Sequence, residues 1–168
     1  MSPVGRPRPE PAGPGQESVW DYPRPPRLEP FEGTLTIELG GEVIASTRHG
    51  FRVLETSHPP TYYLPPAAFA GGVLRPVAGS SWCEWKGQAR YFDLVTPGAT
   101  APRAAWSYPD PTPGFALIRD AVAVMADMVD RCTVNGETVT PQPGGFYGGW
   151  ITSGVVGPFK GGPGSAGW

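Results

Sequence analysis

The chain has 168 residues, of which 39% are hydrophobic and 11% aromatic, and its formal net charge is -2. Its 24 glycines and 23 prolines argue against a helical bundle and favour short strands joined by many turns. The scarcity of lysine and the lack of a basic stripe leave nucleic acid outside the expected partners. No apolar run approaches the roughly 18 residues of a membrane helix, and no secretory leader is recognisable. We therefore expect a cytoplasmic protein that does not bind membranes.

Metal and cofactor binding are not expected. The soft ligands are His49, His58, Cys83 and Cys132, and neither C-x-x-C nor H-x-x-x-H spacing is present to support a zinc site. The two cysteines fit buried, reduced thiols better than a disulfide framework. The glycine pairs near the C-terminus lack the Lys-Ser/Thr that follows a phosphate-binding loop. The sequence thus predicts no metal and no cofactor.

Composition divides the chain into four parts. Residues 1–16 are half glycine and proline and are predicted to form a disordered tail. Residues 17–32 contain Trp20-Asp21-Tyr22-Pro23, a rigid aromatic segment that we expect to cover the core as a strap. Residues 33–140 form the predicted β domain. Residues 141–168 are a glycine-rich tail, and the aromatic residues in it indicate that part of the tail packs on the domain.

Alternating polar and apolar residues predict the first strands. Thr34–Leu39 and Glu42–Thr47 flank a glycine pair and are predicted to form a hairpin, with Phe51–Leu54 as a third strand. Ser81–Leu94 is also predicted as a strand, in which a glycine at position 87 marks a bulge or tight bend. On that strand Trp85 and Lys86, being adjacent, would face opposite sides.

The rest of the β domain is predicted to contain a loop, a strand and a hairpin. Thr96–Arg103 is assigned to the loop and Ala121–Met125 to the strand. Asn135-Gly136 suits a type I′ turn and gives the clearest hairpin in the chain. Helices are expected only as short turns, near Ala67–Ala70 and Phe115–Arg119.

The segment that follows the third strand, Glu55–Pro66, concentrates functional side chains. A carboxylate, three aliphatic hydroxyls, an imidazole and two phenols lie within nine residues, and two proline pairs stiffen the backbone. Strand ends commonly hold binding groups, so we expect this segment to form the wall of a cavity.

Aromatic residues near prolines or strand ends complete the candidate site. Such rings can line a small-molecule site in which Glu55, His58 and Lys86 set the polarity. The alternative interpretation is that the rings form the core of a small β domain. The candidate ligand-binding residues are Tyr62, Tyr63, Trp85, Trp106, Tyr108 and Asp110.

Four stretches resemble the DUF427 family, in the order found in that family: Glu55–Tyr63, Trp85-Lys86-Gly87, Ala105–Pro111 and Val134–Glu137. The two flanks, Ser18–Pro23 and Gly145–Trp150, look like extensions found on actinobacterial members. The resemblance implies a compact, mostly antiparallel domain of the β-tent or Mss4-like kind, without the paired zinc knuckles of its relatives. It carries over no catalytic residue.

Three functions follow from these features. The first is a small-molecule-binding β domain, whose ring faces would attract a cyclic or cationic ligand. The second is an enzyme in which Glu55 and His58 transfer protons and Lys86 stabilises an anion, which requires the three side chains to lie near a common point. The third is a structural protein in which the Trp20 strap and the aromatic tail bury a homodimer surface.

Overall fold

The computed structural model describes residues 6–168 and is mainly β, which confirms the predicted fold class. Most pairings are antiparallel, and the helices are short 3-10 turns at Val19–Asp21, Pro66–Ala68, Pro113–Ile118 and Ala126–Met128. The strands are β1 (Glu17–Ser18), β2 (Arg27–Phe31), β3 (Leu35–Leu39), β4 (Glu42–Thr47), β5 (Gly50–Leu54), β6 (Thr61–Tyr63), β7 (Leu74–Cys83), β8 (Gly87–Thr96), β9 (Ala99–Ser107), β10 (Val122–Val124), β11 (Arg131–Val134), β12 (Glu137–Thr138), β13 (Thr140–Pro141), β14 (Trp150–Ile151) and β15 (Val155–Val156).

Two predicted hairpins build the first four-stranded sheet, whose order is β12-β11-β3-β4. The β3–β4 turn contains Gly40 and Gly41, both with positive φ, and the β11–β12 turn contains Asn135 and Gly136 at φ 50° and 82°. These left-handed conformations are those that a type I′ turn requires. Local turn chemistry therefore determines the connections within this sheet.

The second four-stranded sheet, of order β10-β9-β8-β7, differs from the prediction. The single strand predicted over Ser81–Leu94 is a hairpin, in which Cys83 at the end of β7 pairs with Gly87 at the start of β8. The loop predicted at Thr96–Arg103 is a tight turn that leads directly into β9. In both places the chain reverses within a few residues, and alternation alone does not show such a reversal.

The third sheet, of order β2-β5-β6, positions the segment Glu55–Pro66, which we call the candidate segment. Strand β5 pairs with β6 through Phe51–Tyr63, Arg52–Tyr62 and Val53–Thr61, so residues 55–60 form the connection between two hydrogen-bonded strands. Leu64 then bridges to Val122 of β10 and links this sheet to the second one. The connection is thereby held at the junction of two sheets.

Three clusters of buried side chains form the core. The largest joins the first two sheets and includes Leu35, Ile37, Leu94, Val124 and Trp150. The second contains Val53, Tyr63, Ala89, Tyr108, Phe115 and Ile118. The third contains Val19, Trp20, Tyr22, Leu54 and Val155, with Phe159 and Trp168 packed against it.

The two terminal parts of the chain contact each other. Strand β1 pairs with β15 in parallel, and the Glu10 and Gly157 backbones are joined by a hydrogen bond of 2.8 Å. Gln16 Nε2 donates to the Ser153 carbonyl at 3.0 Å. Residues 10 and 16 of the predicted disordered tail are thus in contact with the C-terminal part, while its first five residues lie outside the described residues.

Candidate functional site

A cavity of about 640 Å³ opens beside the connection between β5 and β6. Its walls are that connection, the β7–β8 hairpin, strand β9 and the C-terminal segment (residues 141–168), and we call it the aromatic cavity. Seven of the nine candidate residues line it: Glu55, His58, Tyr63, Trp85, Lys86, Trp106 and Tyr108. The acid–imidazole segment and the Trp-Lys-Gly bend therefore face one space, and a role in binding stays a prediction for each residue.

Tyr62 and Asp110 lie outside the aromatic cavity. Adjacent residues of a strand point to opposite faces, so Tyr62 of β6 points away from Tyr63. Its ring packs against Trp150 and Phe31, at centroid distances of 5.3 and 5.1 Å. The Asp110 side chain is 95% exposed and faces Arg119 at 3.7 Å. The space beside Tyr62 belongs to a different, more open groove.

His58 is held by Gln142, a buried residue of the C-terminal segment. The Gln142 carbonyl oxygen accepts from the Gly149 N–H at 3.0 Å, and its amide nitrogen donates to the Lys160 carbonyl at 2.9 Å. These two bonds fix the amide orientation, so the remaining amide hydrogen is donated to His58 Nδ1 at 3.0 Å. His58 therefore carries its own proton on Nε2.

The protonation of His58 follows from its surroundings. Burial, together with the positive charges of Lys160, Arg24 and Lys86, lowers the pKa of His58 to about 4, although the Glu55 carboxylate opposes the shift. Nε2 faces Glu55 Oε2 at 3.6 Å, which is longer than a hydrogen bond. The imidazole is thus neutral at pH 7, and both of its nitrogens face groups of the protein.

Glu55 is paired with a cation from the N-terminal part of the chain. Arg24 Nη2 lies 3.2 Å from the Glu55 carboxylate and donates to the Thr56 carbonyl at 2.9 Å. The Thr56 hydroxyl in turn donates to the Tyr22 carbonyl at 2.5 Å. The predicted strap (residues 17–32) is therefore hydrogen-bonded to the candidate segment, and its Arg24 compensates the charge of Glu55.

Ser57 turns the backbone between Thr56 and His58. Its φ of 72° lies in the left-handed region, which is uncommon for a residue other than glycine. Its N–H donates to Val19 at 3.0 Å, and its carbonyl accepts from the Lys160 N–H at 2.9 Å. The Ser57 hydroxyl is the one buried side-chain polar atom in residues 6–168 that has no hydrogen-bond partner. This strained turn joins the strap, the candidate segment and the C-terminal segment.

Lys86 reaches the aromatic cavity from the β7–β8 turn. Its ammonium lies 5.7 Å from the Tyr108 ring centre and 3.9 Å from Cys83 Sγ. Thr112 holds the turn, since its hydroxyl donates to the Trp85 carbonyl at 2.6 Å and its N–H donates to the Lys86 carbonyl at 3.1 Å. Because both residues belong to a turn, Trp85 and Lys86 line the same cavity and not opposite faces of a strand as predicted.

The C-terminal segment supplies the opposite wall. The Tyr147 ring packs edge-on against the His58 ring at 4.7 Å. The Lys160 ammonium lies 5.6 Å from the Tyr147 ring centre and donates to the main-chain oxygen of Trp168 at 3.2 Å. Gly148 passes so close to Trp106 that any side chain at this position would overlap the indole ring.

Two tyrosines form the inner end of the aromatic cavity. Tyr63 is 1% exposed and Tyr108 is 6% exposed, and burial raises the pKa of both phenols. Both hydroxyls therefore stay protonated at neutral pH. The outer end is different, since Trp82 and Phe146 are 74% and 79% exposed. The cavity thus runs from a buried phenol pair to an exposed apolar rim.

Sequence reasoning missed several lining residues. Gln142, Tyr147 and Lys160 belong to a segment recognised only as glycine-rich with packed aromatic residues. Cys83 is partly exposed and lines the cavity, which corrects its assignment as a buried thiol, whereas Cys132 is buried as predicted. The scarcity of lysine could have pointed to Lys160. Lys86 and Lys160 are the only lysines in the chain, and both line this cavity.

Two structural findings bear on other classes of function. Within residues 6–168, no group of three or more His, Cys, Asp or Glu residues is arranged to hold a metal ion. Over the same residues each helix is a 3-10 turn, too short for a membrane-spanning segment.

Comparison with known proteins identifies the family. A family model described as a domain of unknown function, DUF427, matches residues 27–135. A search of curated proteins gives no match. The matched range includes Glu55, His58, Lys86 and Trp106 and ends before Gln142 of the C-terminal wall. Since the match covers more than half of the chain, this protein belongs to the DUF427 family.

Proposed function

We propose that this protein binds a small planar molecule in the aromatic cavity. The observation that supports the proposal is a concave space of about 640 Å³, walled by indole and phenol rings with a few polar groups among them. Small-molecule sites have volumes of about 300–1,000 Å³ and this mixture of apolar walls and few polar groups. Planar ligands gain most from such walls because they stack on ring faces.

Three rings of the cavity wall are only partly buried, although Tyr63 and Tyr108 at its inner end belong to the second core cluster. Trp85, Trp106 and Tyr147 are only partly buried, whereas the largest core cluster is filled chiefly by aliphatic side chains such as Leu35 and Ile37. Partly exposed aromatic rings that line a concave space are typical of binding sites. This distribution supports a binding site over the alternative that the rings only fill the domain.

The hydrogen bonds of His58 favour binding over acid–base catalysis. A general base needs a free nitrogen within reach of a substrate proton. In His58, Nδ1 accepts from Gln142 and Nε2 faces Glu55, which is itself paired with Arg24. The imidazole therefore acts as a connection between the candidate segment and the C-terminal wall. Enzymatic use of Glu55, His58 and Lys86 is the less supported alternative.

The contacts of the terminal segments weaken the dimer alternative. Trp20 is buried in its own chain and packs edge-on against Trp168 at 5.5 Å. Trp20 of the strap and Trp168 of the tail, both expected at a homodimer surface, are thus in contact with each other within one molecule.

A thermal-shift measurement with indole, adenine, benzamide and benzoate tests the proposal. A ligand present at about ten times its dissociation constant adds about 1.4 kcal/mol, which raises the melting temperature by about 3 °C in a chain of this size. We expect at least one compound to do so for the wild type and not for Trp106→Leu. Trp168→Leu, which alters a partly buried indole outside the cavity, should retain the shift. Equal shifts in both variants, or none in the wild type, would contradict the proposal.

A further inference from the structure

The aromatic cavity is lined by both lysines of the chain. Eleven of the thirteen basic residues are arginine, and the two lysines, Lys86 and Lys160, both line this cavity from opposite walls. They come from segments far apart in sequence, one on the β7–β8 turn and one in the C-terminal segment. An ammonium group is a compact, strongly hydrated charge that is suited to meeting a ligand anion.

Neither lysine is paired with an aspartate or glutamate side chain. Within residues 6–168 no Asp or Glu oxygen lies within 4.0 Å of either ammonium. Each lies instead beside a ring, Lys86 by Tyr108 and Lys160 by Tyr147. Lys86 also has a weak contact with Cys83 Sγ, and Lys160 donates to the main-chain oxygen of Trp168, the last residue of the sequence. A partly buried ammonium without a carboxylate side chain beside it can still form a charge-assisted hydrogen bond with a ligand anion.

The electrostatics of the cavity wall point in the same direction. The charged lining residues are Glu55, Glu84, Lys86, Arg103 and Lys160, which is three cations against two carboxylates. The Glu55 carboxylate is already paired with Arg24, and Glu84 lies on the exposed rim of the cavity. Both lysines line the same cavity as His58, and their charges, like that of Arg24, add to the effect of burial in lowering the pKa of this imidazole.

These charges disfavour a cationic ligand. The ring faces of Tyr108 and Tyr147 that would attract a cation are each occupied by the protein's own ammonium group. We propose that the ligand is a planar aromatic anion, whose rings stack in the aromatic cavity while its acidic group is bound between Lys86 and Lys160. This inference rests on the proposed binding function and specifies its ligand class, a carboxylate, sulfonate or phosphate on an aromatic body.

Two fluorescent probes with the same ring system test the inference. Anilinonaphthalene sulfonate is an aromatic anion with a planar naphthalene body, and phenylnaphthylamine is the neutral compound without the sulfonate. We expect the wild type to bind the sulfonate at least about tenfold more tightly, since a charge-assisted contact contributes that much or more. Added salt should lower the affinity for the sulfonate and leave the affinity for the neutral probe nearly unchanged.

Single substitutions locate the effect. Lys86→Gln and Lys160→Gln should each weaken sulfonate binding about tenfold and leave the neutral probe within about twofold. Lys86→Arg should retain most of the affinity, because the charge is kept. Arg75→Gln removes an exposed cation outside the cavity and serves as the matched control. Urea unfolding of each variant checks the fold, and if Lys160→Gln does not fold, Lys86→Gln carries the test alone.

The outcomes separate this inference from the proposed function. If Trp106→Leu abolishes binding of both probes while the lysine variants change neither, the cavity binds ligands but the anion assignment is wrong. If the lysine variants weaken both probes equally, the assignment is also wrong. If Trp106→Leu changes neither probe, the proposed function and the inference both fail. Selective loss of the sulfonate in the lysine variants supports the inference.

Discussion

The neutral state of His58 predicts how stability depends on pH. Its pKa in the folded protein is about 4, against an ordinary value of 6.5. Between these two values the unfolded chain binds more protons than the folded one, so the free energy of unfolding falls as the pH is lowered from 6.5 to 4. With about 1.4 kcal/mol for each pH unit of separation, the loss attributable to His58 is about 3 kcal/mol. Above pH 6.5 His58 contributes no pH dependence.

Urea unfolding at several pH values from 7 to 4 measures this effect. Carboxylates titrate in the same acid range, so the His58→Gln variant is the necessary comparison. Its amide oxygen can still accept from Gln142, but it has no proton to gain. The variant should lose less stability than the wild type over this range, by about 3 kcal/mol. Parallel pH profiles for the two proteins would refute the assignment of a buried, neutral imidazole.

Three further predictions test the walls of the cavity. Gln142→Leu leaves three hydrogen-bonding groups without partners and should lower the free energy of unfolding by about 3 kcal/mol, as measured with urea. Gly148→Ala places a methyl group against the Trp106 ring and should destabilise by about 1–3 kcal/mol and shift the indole signal in NMR spectra. Iodoacetamide should alkylate Cys83, which is partly exposed, much faster than Cys132, which is 1% exposed and whose pKa burial raises to about 12.

Matched substitutions control these predictions. Gln88→Leu removes an exposed amide with one side-chain hydrogen bond and should change stability by less than about 0.5 kcal/mol. Gly114→Ala adds a methyl group in open space and should be equally mild. Effects as large in these controls as in Gln142→Leu and Gly148→Ala would contradict the contacts described. Equal alkylation rates for the two thiols would contradict the position of Cys83.

The parts of the fold that depend on local sequence were predictable. Gly40-Gly41 and Asn135-Gly136 adopt positive φ at little cost, and the alternating residues beside them specify hairpins without reference to the rest of the chain. Strand β6 (Thr61–Tyr63) was not predicted, because its residues were assigned to the proline-stiffened segment Glu55–Pro66. Which of its two tyrosines faces the cavity could not be inferred either, because that depends on which face of the sheet is covered.

The β7–β8 turn could not be predicted from its own residues. The bend at Gly87 was expected, but a reversal in place of a continuing strand depends on partners elsewhere. Thr112 supplies two hydrogen bonds to this turn from a loop about 26 positions along the chain. A side chain at Gly87, at φ 107°, would press on the Asp110 carbonyl of the same loop.

The second wall of the candidate site depends on still longer contacts. Gln142 and His58 are 84 residues apart, and nothing near either residue in sequence indicates the other. Composition identified the C-terminal segment as glycine-rich, and those glycines are what allow it to pass close to other groups, as Gly148 does over Trp106. The wall formed by Glu55 and His58 could therefore be inferred from the sequence, whereas the wall formed by the C-terminal segment could not.

The tryptophan indole signals test the binding function most directly. Trp85 and Trp106 line the aromatic cavity, whereas Trp20 and Trp150 are buried in other clusters and serve as internal references. In nitrogen-15 NMR spectra, titration with anilinonaphthalene sulfonate should move the first pair and leave the second pair in place. Shifts that are equal for all four indoles, or confined to Trp20 and Trp150, would contradict binding in this cavity.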